Sequence, residues 1–156
     1  MSGLQVIKSN GKVIAIIIRK GINIKGVKFF TPPHYPFQIG FHNRKKNTYL
    51  KPHLHPVHNF YIKSSQEVLY ILQGKVRINL YSDEKKFICY KILNSGDSVL
   101  LVNGGHGVKL LKDSKIFEVK QGPYVGDEKA KVFISERKNK RSEFISERKN
   151  KRSEFI

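Results

Sequence analysis

Cysteine is nearly absent. Cys89 is the only one in 156 residues, so no disulfide can form within the chain, and nothing marks a disulfide-stapled secreted domain. Tryptophan is missing altogether. Long apolar runs are missing as well: the longest purely aliphatic stretch, VIAIII at 13–18, has six residues, far fewer than the ~20 a membrane helix needs. The opening MSGLQVIKSNGK lacks the basic-then-apolar layout of a signal peptide. These absences predict a cytoplasmic protein that makes no membrane contact. Acidic side chains are also scarce, 12 Asp and Glu against 30 Lys and Arg, for a net charge of +18. From Phe133 onward there are eight basic and four acidic residues, which leaves +14 for residues 1–132. A body this basic favours anionic partners such as a phosphorylated or carboxylated small molecule. The plainer reading is a lysine-rich solvated surface. The lysines are scattered rather than gathered into a stripe interleaved with aromatics, which counts against nucleic acid.

What is present is strand chemistry. Val, Ile, Phe and Tyr recur in short blocks separated by Gly, Pro and Asn. LQVIK and KVIAIIIRK flank Ser9-Asn10-Gly11, a strong hairpin signal because the central residues need positive φ. The second of these strands is apolar on both faces, which predicts cover on both sides; a subunit interface is one way to supply it, and a homodimer through this hairpin follows. After the Pro-rich link TPPHYP, strands are expected at FQIGFH, NTYLKPHLH, EVLYIL, KVRINLY, FICYKIL, SVLLV, HGVKLL and KIFEVKQ. Nine or ten short strands with regularly spaced turn signals, and no helix before residue 127, predict an all-β sandwich or barrel. Three regions emerge: the hairpin at 1–24, a barrel at 25–126, and a basic tail at 127–156. In the tail FISERKNKRSE occurs twice in tandem. Its 11-residue period gives only a sparse helical stripe, so the tail is read as disordered or marginally helical and carries no catalytic role.

The chemistry concentrates in KPHLHPVHNFY at 51–61, which holds three of the six histidines. Pro52 and Pro56 push their preceding residues toward extended geometry, and alternate residues of a strand share a face, so His53 and His55 are expected to point together. His58 lies beyond Pro56 with no enforced face. Glu67 opens the apolar run EVLYIL on the face of Leu69 and Ile71, and a carboxylate directed at a core needs a cation or a proton. His106 begins a strand after Gly104-Gly105, whose glycines let the backbone bend closely. Gln38, Arg77, Lys120, Gln121 and Tyr124 stand on or beside apolar strands. If turned inward they would contact a substrate; if outward they form a solvated face. Cys89 alternates within FICYKIL as a small core residue, and His34 and His42 carry no assignment.

His53-Leu54-His55 followed by Glu67–Gly74 matches H-x-H and E-x6-G, the body of the first cupin motif. Gly96 and Gly104 match glycines of the second, and His106 stands one place short of its histidine. On these residues the chain resembles the cupins, small β-barrel proteins with a metal site. Eleven residues rather than three or four separate His55 from Glu67, so His58 competes with Glu67 as a ligand. The resemblance covers residues 25–125. It implies a jelly-roll barrel holding one divalent transition metal (Fe, Mn, Ni or Zn) with His53, His55, His106 and Glu67, the last also being the catalytic candidate. QEVLYILQGKVRINLY, GGHGVKLL and EVKQGPYVGDE are similar to small single-domain cupins of surface-polysaccharide and nucleotide-sugar gene clusters. A metal in such a site would act as a Lewis acid on a substrate carbonyl or hydroxyl pair, and isomerisation or epimerisation of a small anionic sugar or carboxylate fits this best. The alternatives are a non-catalytic ligand-binding cupin and an iron-dependent dioxygenase.

Overall fold

A computed structural model describes residues 3–59, 61, 62, 64–122, 126 and 130–135. Tyr124 and most of the tandem repeat fall outside the described residues. Every element among those described is a strand, and every pairing is antiparallel. β1 (Leu4–Ser9) and β2 (Lys12–Ile18) form the expected hairpin, with Asn10 and Gly11 at φ 48° and 74°. β3 (Gly26–Phe29) pairs with β4 (Gly40–Asn43). β5 (Glu67–Gln73) and β6 (Lys75–Tyr81) flank Gly74 at φ 93°, where a side chain would run into the Asp113 carbonyl and Ser114. β7 (Phe87–Asn94), β8 (Ser98–Leu101), β9 (Gly105–Leu110) and β10 (Lys115–Lys120) complete the order.

Two sheets carry the core. One has the strand order β1-β2-β8-β5-β10 and the other β7-β6-β9. Their inner faces meet through Ile14, Ala15, Ile17, Leu69, Ile71, Val99 and Leu101 from the first sheet, and Val76, Ile78, Leu80 and Leu93 from the second. Each Ile or Leu so buried contributes about 1.5–3 kcal/mol relative to exposure. Three irregularities in register tune this packing. Ile7 faces Ala15 and Lys8 faces Val13, which leaves Ile14 as the extra residue of a bulge. Two successive side chains, Ile14 and Ala15, therefore enter the same core. Ile88 is skipped in the same way between Phe87 and Cys89 opposite β6, and Leu72 between Ile71 and Gln73 opposite β10.

The doubly apolar β2 has its second face covered from within the chain. Ile16 packs with Leu100, Val102, Tyr35, Phe37 and Ile39, and Ile18 packs with Ile22, Ile24 and Phe41. No subunit interface is needed to explain VIAIII. A polar clamp secures the neighbouring turn. The buried Asp97 carboxylate accepts hydrogen bonds from Arg19 Nη1 (3.0 Å), Lys20 N (2.9 Å) and Asn94 N (2.9 Å), while Arg19 also donates to the Ile92 carbonyl (2.6 Å).

The sequence expectations need two corrections. FQIGFH contributes a strand only from Gly40, and it pairs with β3, which was not foreseen. NTYLKPHLH forms no strand: the described residues of 44–66 contain none. Pro52 and Pro56 lack the N–H a ladder requires, and this segment is largely exposed. The result is an all-β antiparallel sandwich in which β1, β10, β7 and β9 are sheet edges among the described residues.

Candidate functional site

The site is built where the two sheets face each other near one end of β5 and β9. Glu67 is the first residue of β5, paired with Leu101 on β8 and Lys120 on β10. It shares its face with the core residues Leu69 and Ile71 by alternation. The residue before it is firmly held. Gln66 is 2% exposed, its N–H donates to Gln121 Oε1 (2.7 Å), and its own Oε1 accepts from Phe37 N (3.3 Å). His106 arrives from the other sheet. It stands directly opposite Leu80 on β6, so it points to the same side as that core leucine. The turn before it is tight: Gly104 has φ 72° and lies against the Tyr81 carbonyl, leaving no space for a side chain.

These two placements converge. His106 Nε2 lies 3.7 Å from Glu67 Oε1, with the side chains 32% and 22% exposed. The separation exceeds a hydrogen bond. It lies within the ~4.2 Å that two donors can span when each is bonded to one transition-metal ion at ~2.1 Å. A protonated imidazole would make it an ion pair instead. On the same inner face, Lys120 sits opposite Glu67 and bonds Glu118 Oε1 at 2.6 Å. Along β9 the strip continues with Val108 and Leu110, 42% and 56% exposed. The arrangement is therefore a carboxylate, an imidazole and an ammonium at the rim of an apolar, partly open face. A surface cavity of about 230 Å³ abuts the Gly104-Gly105 turn, lined by Ser82, Asp83, Lys85, Val132 and Ile134.

The histidine pair is elsewhere. His53 and His55 are exposed, with ring centroids 5.1 Å apart and planes at 72°. His53 Nδ1 lies 2.8 Å from the Lys51 carbonyl. A carbonyl can only accept, so Nδ1 carries the proton and the neutral ring keeps its lone pair on Nε2, the arrangement typical of a metal-binding histidine. His58 is also exposed. Among the described residues no group of three or more His, Cys, Asp or Glu side chains gathers to hold a metal. The structure thus unites Glu67 with His106 and does not bring His53, His55 or His58 to them. As placed, the pair fits a shared ion and the set of four does not form one centre.

The other candidates divide. Lys120 lies beside Glu67. Gln121 is adjacent, and its Nε2 is buried with no hydrogen-bond partner. Arg77 belongs to the outer face of β6, opposite in direction to Ile78 and Val76; it stacks 4.8 Å from the Tyr90 ring centroid and donates from Nε to Asn79 Oδ1 (2.9 Å). Gln38 is exposed and closes its own loop, donating to the carbonyls of Pro32 (2.8 Å) and Tyr35 (3.2 Å). Tyr124 is outside the described residues. His34 packs edge-on against Tyr35, His42 is exposed on β4, and Cys89 packs against the main core, where burial pushes its thiol pKa up. Two contributors went unforeseen. Glu118 was recoverable from KIFEVK, where Ile116, Glu118 and Lys120 alternate with Phe117 and Val119. Gln66 carried no local signal, because its role depends on the distant Phe37 and Gln121. Compared with known protein families, with curated proteins and with solved structures, the chain matches none.

Proposed function

We propose that this protein is a metal-binding enzyme of cupin type, an isomerase or epimerase acting on a small anionic sugar or carboxylate in polysaccharide synthesis. The observation that carries the reading is the meeting of Glu67 and His106 across the two sheets at 3.7 Å. At this partly open rim the carboxylate and the imidazole each lose part of their hydration, which costs free energy unless they are paired or used. In this reading Glu67 takes a proton from a carbon next to a carbonyl and returns it to the neighbouring carbon, or to the opposite face of the same one. Lys120 offers a positive charge to an anionic group or a developing enolate. A divalent transition metal held by His106, with Glu67 as a further ligand or as the base once it leaves the metal, would supply Lewis acidity toward the carbonyl. A jelly-roll barrel, supported by the motif resemblance, and a cytoplasmic location, supported by the lone cysteine, belong to the same proposal; a homodimer does too, though VIAIII, covered within the chain, is not its ground.

A proton-exchange experiment tests the chemistry. Keto-sugar phosphates and nucleotide-linked keto-sugars are incubated with the protein in D₂O and followed by NMR. Deuterium enters at the carbon beside the carbonyl with the native protein and not with Glu67→Gln. Exchange at the native rate in Glu67→Gln contradicts the assignment. Tight binding of such ligands with no exchange favours the second reading, a ligand-binding module, which the separation of His53 and His55 from Glu67 supports.

A further inference from the structure

Strand β9 carries glycine at two alternate positions, Gly105 and Gly107. Neither has a positive φ, so backbone conformation does not call for them. Both stand on the face turned away from the core, because His106 between them lies opposite the core residue Leu80. Their partners on β6 are Tyr81 and Asn79, and Asn79 Nδ2 lies 3.5 Å from Tyr81 Oη. Two missing side chains on one face leave a shallow trough with Tyr81 and Asn79 along one side. At Gly105 the trough is filled. A Cβ there would run into Ile134 Cδ1. Ile134 is half-buried, whereas its neighbours Val132 and Phe133 are 78% and 77% exposed. A glycine inside a strand marks a place where another group approaches closely, and here that group is one isoleucine of the basic tail. The same plug recurs in the sequence. Phe133-Ile134 heads the first copy of FISERKNKRSE, and Phe144-Ile145 heads the second. That second pair lies outside the described residues.

We infer that Gly105 and Tyr81 form a seat for a Phe-Ile plug from this chain's own tail, and that Ile145 takes the seat when Ile134 leaves it. Burying an isoleucine side chain against the outer face of β9 removes apolar surface from water, whichever copy supplies it. The two plugs continue identically through SERKNKRSE, so the seat tells them apart by what precedes them. Val132, which lines the cavity beside the seat, has Glu143 as its counterpart in the second copy. That difference favours Ile134 as the resident plug. Reach hardly separates the two. The second plug lies 11 residues further along, which less than doubles the loop closed from the end of β10 and disfavours it by only about twofold. Both plugs are tethered to the seat. A flexible tether holds each at an effective concentration of about millimolar, above that of a second copy in dilute solution. The tail is therefore a clamp with a spare, and loss of the first plug leaves the seat filled.

The test is NMR of the full-length protein with labelled isoleucine δ1 methyl groups, reading which methyl lies beside the backbone protons of residue 105. In the native protein it is the Ile134 methyl. In Ile134→Ala the contact persists, weakened by about twofold, and comes from the Ile145 methyl. Gly105→Val fills the trough with its own side chain at a backbone conformation valine accepts, and both contacts disappear. Methyl contacts within the main core, such as those of Ile71 and Ile78, report that each variant is folded. No isoleucine methyl beside Gly105 in the folded native protein overturns the seat. Persistence of the Ile134 contact in Gly105→Val overturns close approach as its basis. Loss of every contact in folded Ile134→Ala, or a contact from an isoleucine other than Ile145, overturns the spare plug. In a mixture of labelled and unlabelled Ile134→Ala chains, a contact between the two kinds overturns docking within the chain in favour of a second copy.

Discussion

The two-sheet sandwich and the segment at 44–66 both carry large apolar side chains, and those side chains end in opposite states. In β6, Val76, Ile78 and Leu80 are essentially inaccessible, while Leu54 and Val57 stand almost wholly in water. Apolar content is part of the difference, four residues in seven for KVRINLY against four in eleven for KPHLHPVHNFY. Periodicity and backbone donors supply the rest. KVRINLY alternates inward and outward and every residue of it can donate to a ladder, so it pairs with strands on both sides. KPHLHPVHNFY has two prolines four residues apart in its first six positions, each a gap in its backbone donors. The site sits at the boundary of the two regions, with Glu67 and His106 on the rigid part and His53 and His55 on the other.

Substitutions can break or sharpen this contrast. Ile78→Ala should have the largest effect, about 2–5 kcal/mol lost, read from the urea midpoint, whereas Leu54→Ala should stay within about 0.5 kcal/mol. A comparable loss from Leu54→Ala would erase the distinction. Asp97→Ala leaves the Arg19 guanidinium and two backbone N–H groups without their acceptor and should cost about 2–3 kcal/mol, the partial exposure of Arg19 reducing the full buried-pair penalty. Gly104→Ala imposes positive φ and a collision with the Tyr81 carbonyl, at about 1–3 kcal/mol. It should also displace His106, seen as a shifted imidazole resonance by NMR.

The smallest effect concerns Lys12 and Asp83, 2.6 Å apart on the surface. The hydrogen bond from Lys12 holds the Asp83 pKa below its ordinary value, and the same bond raises that of Lys12. The carboxylate's contribution is present above its ordinary range and lost as pH falls through the depressed value. The lysine's is present below its ordinary range and lost as pH rises through the raised one. A slight difference between native protein and Lys12→Ala should therefore appear at neutral pH and vanish in strong acid and strong base.

Much of the fold was legible because strand and turn signals are local. Asn10-Gly11, Gly74 and Gly104 mark turns by the φ they require, and β5 to β10 follow their apolar alternation. The failures arose where local and tertiary preferences diverge. An extended His-Leu-His follows from Pro52 and Pro56, yet the same prolines remove the donors that would seat it in a sheet. β3 has only GVKF to announce it and depends on pairing with Gly40–Asn43. At the site, the facing of Glu67 and His106 was readable from alternation, while the outward turn of Arg77 and the loop-closing role of Gln38 depend on which face each sheet buries.

Metal content after purification without chelator tests the central claim most directly, measured on the native protein, on Glu67→Gln/His106→Ala and on His53→Ala/His55→Ala. Near one equivalent of a transition metal in the native protein, and almost none in the Glu67/His106 variant, is the result predicted. Full metal retention by that variant, with its fold intact, would contradict the placing of the functional centre between the two sheets.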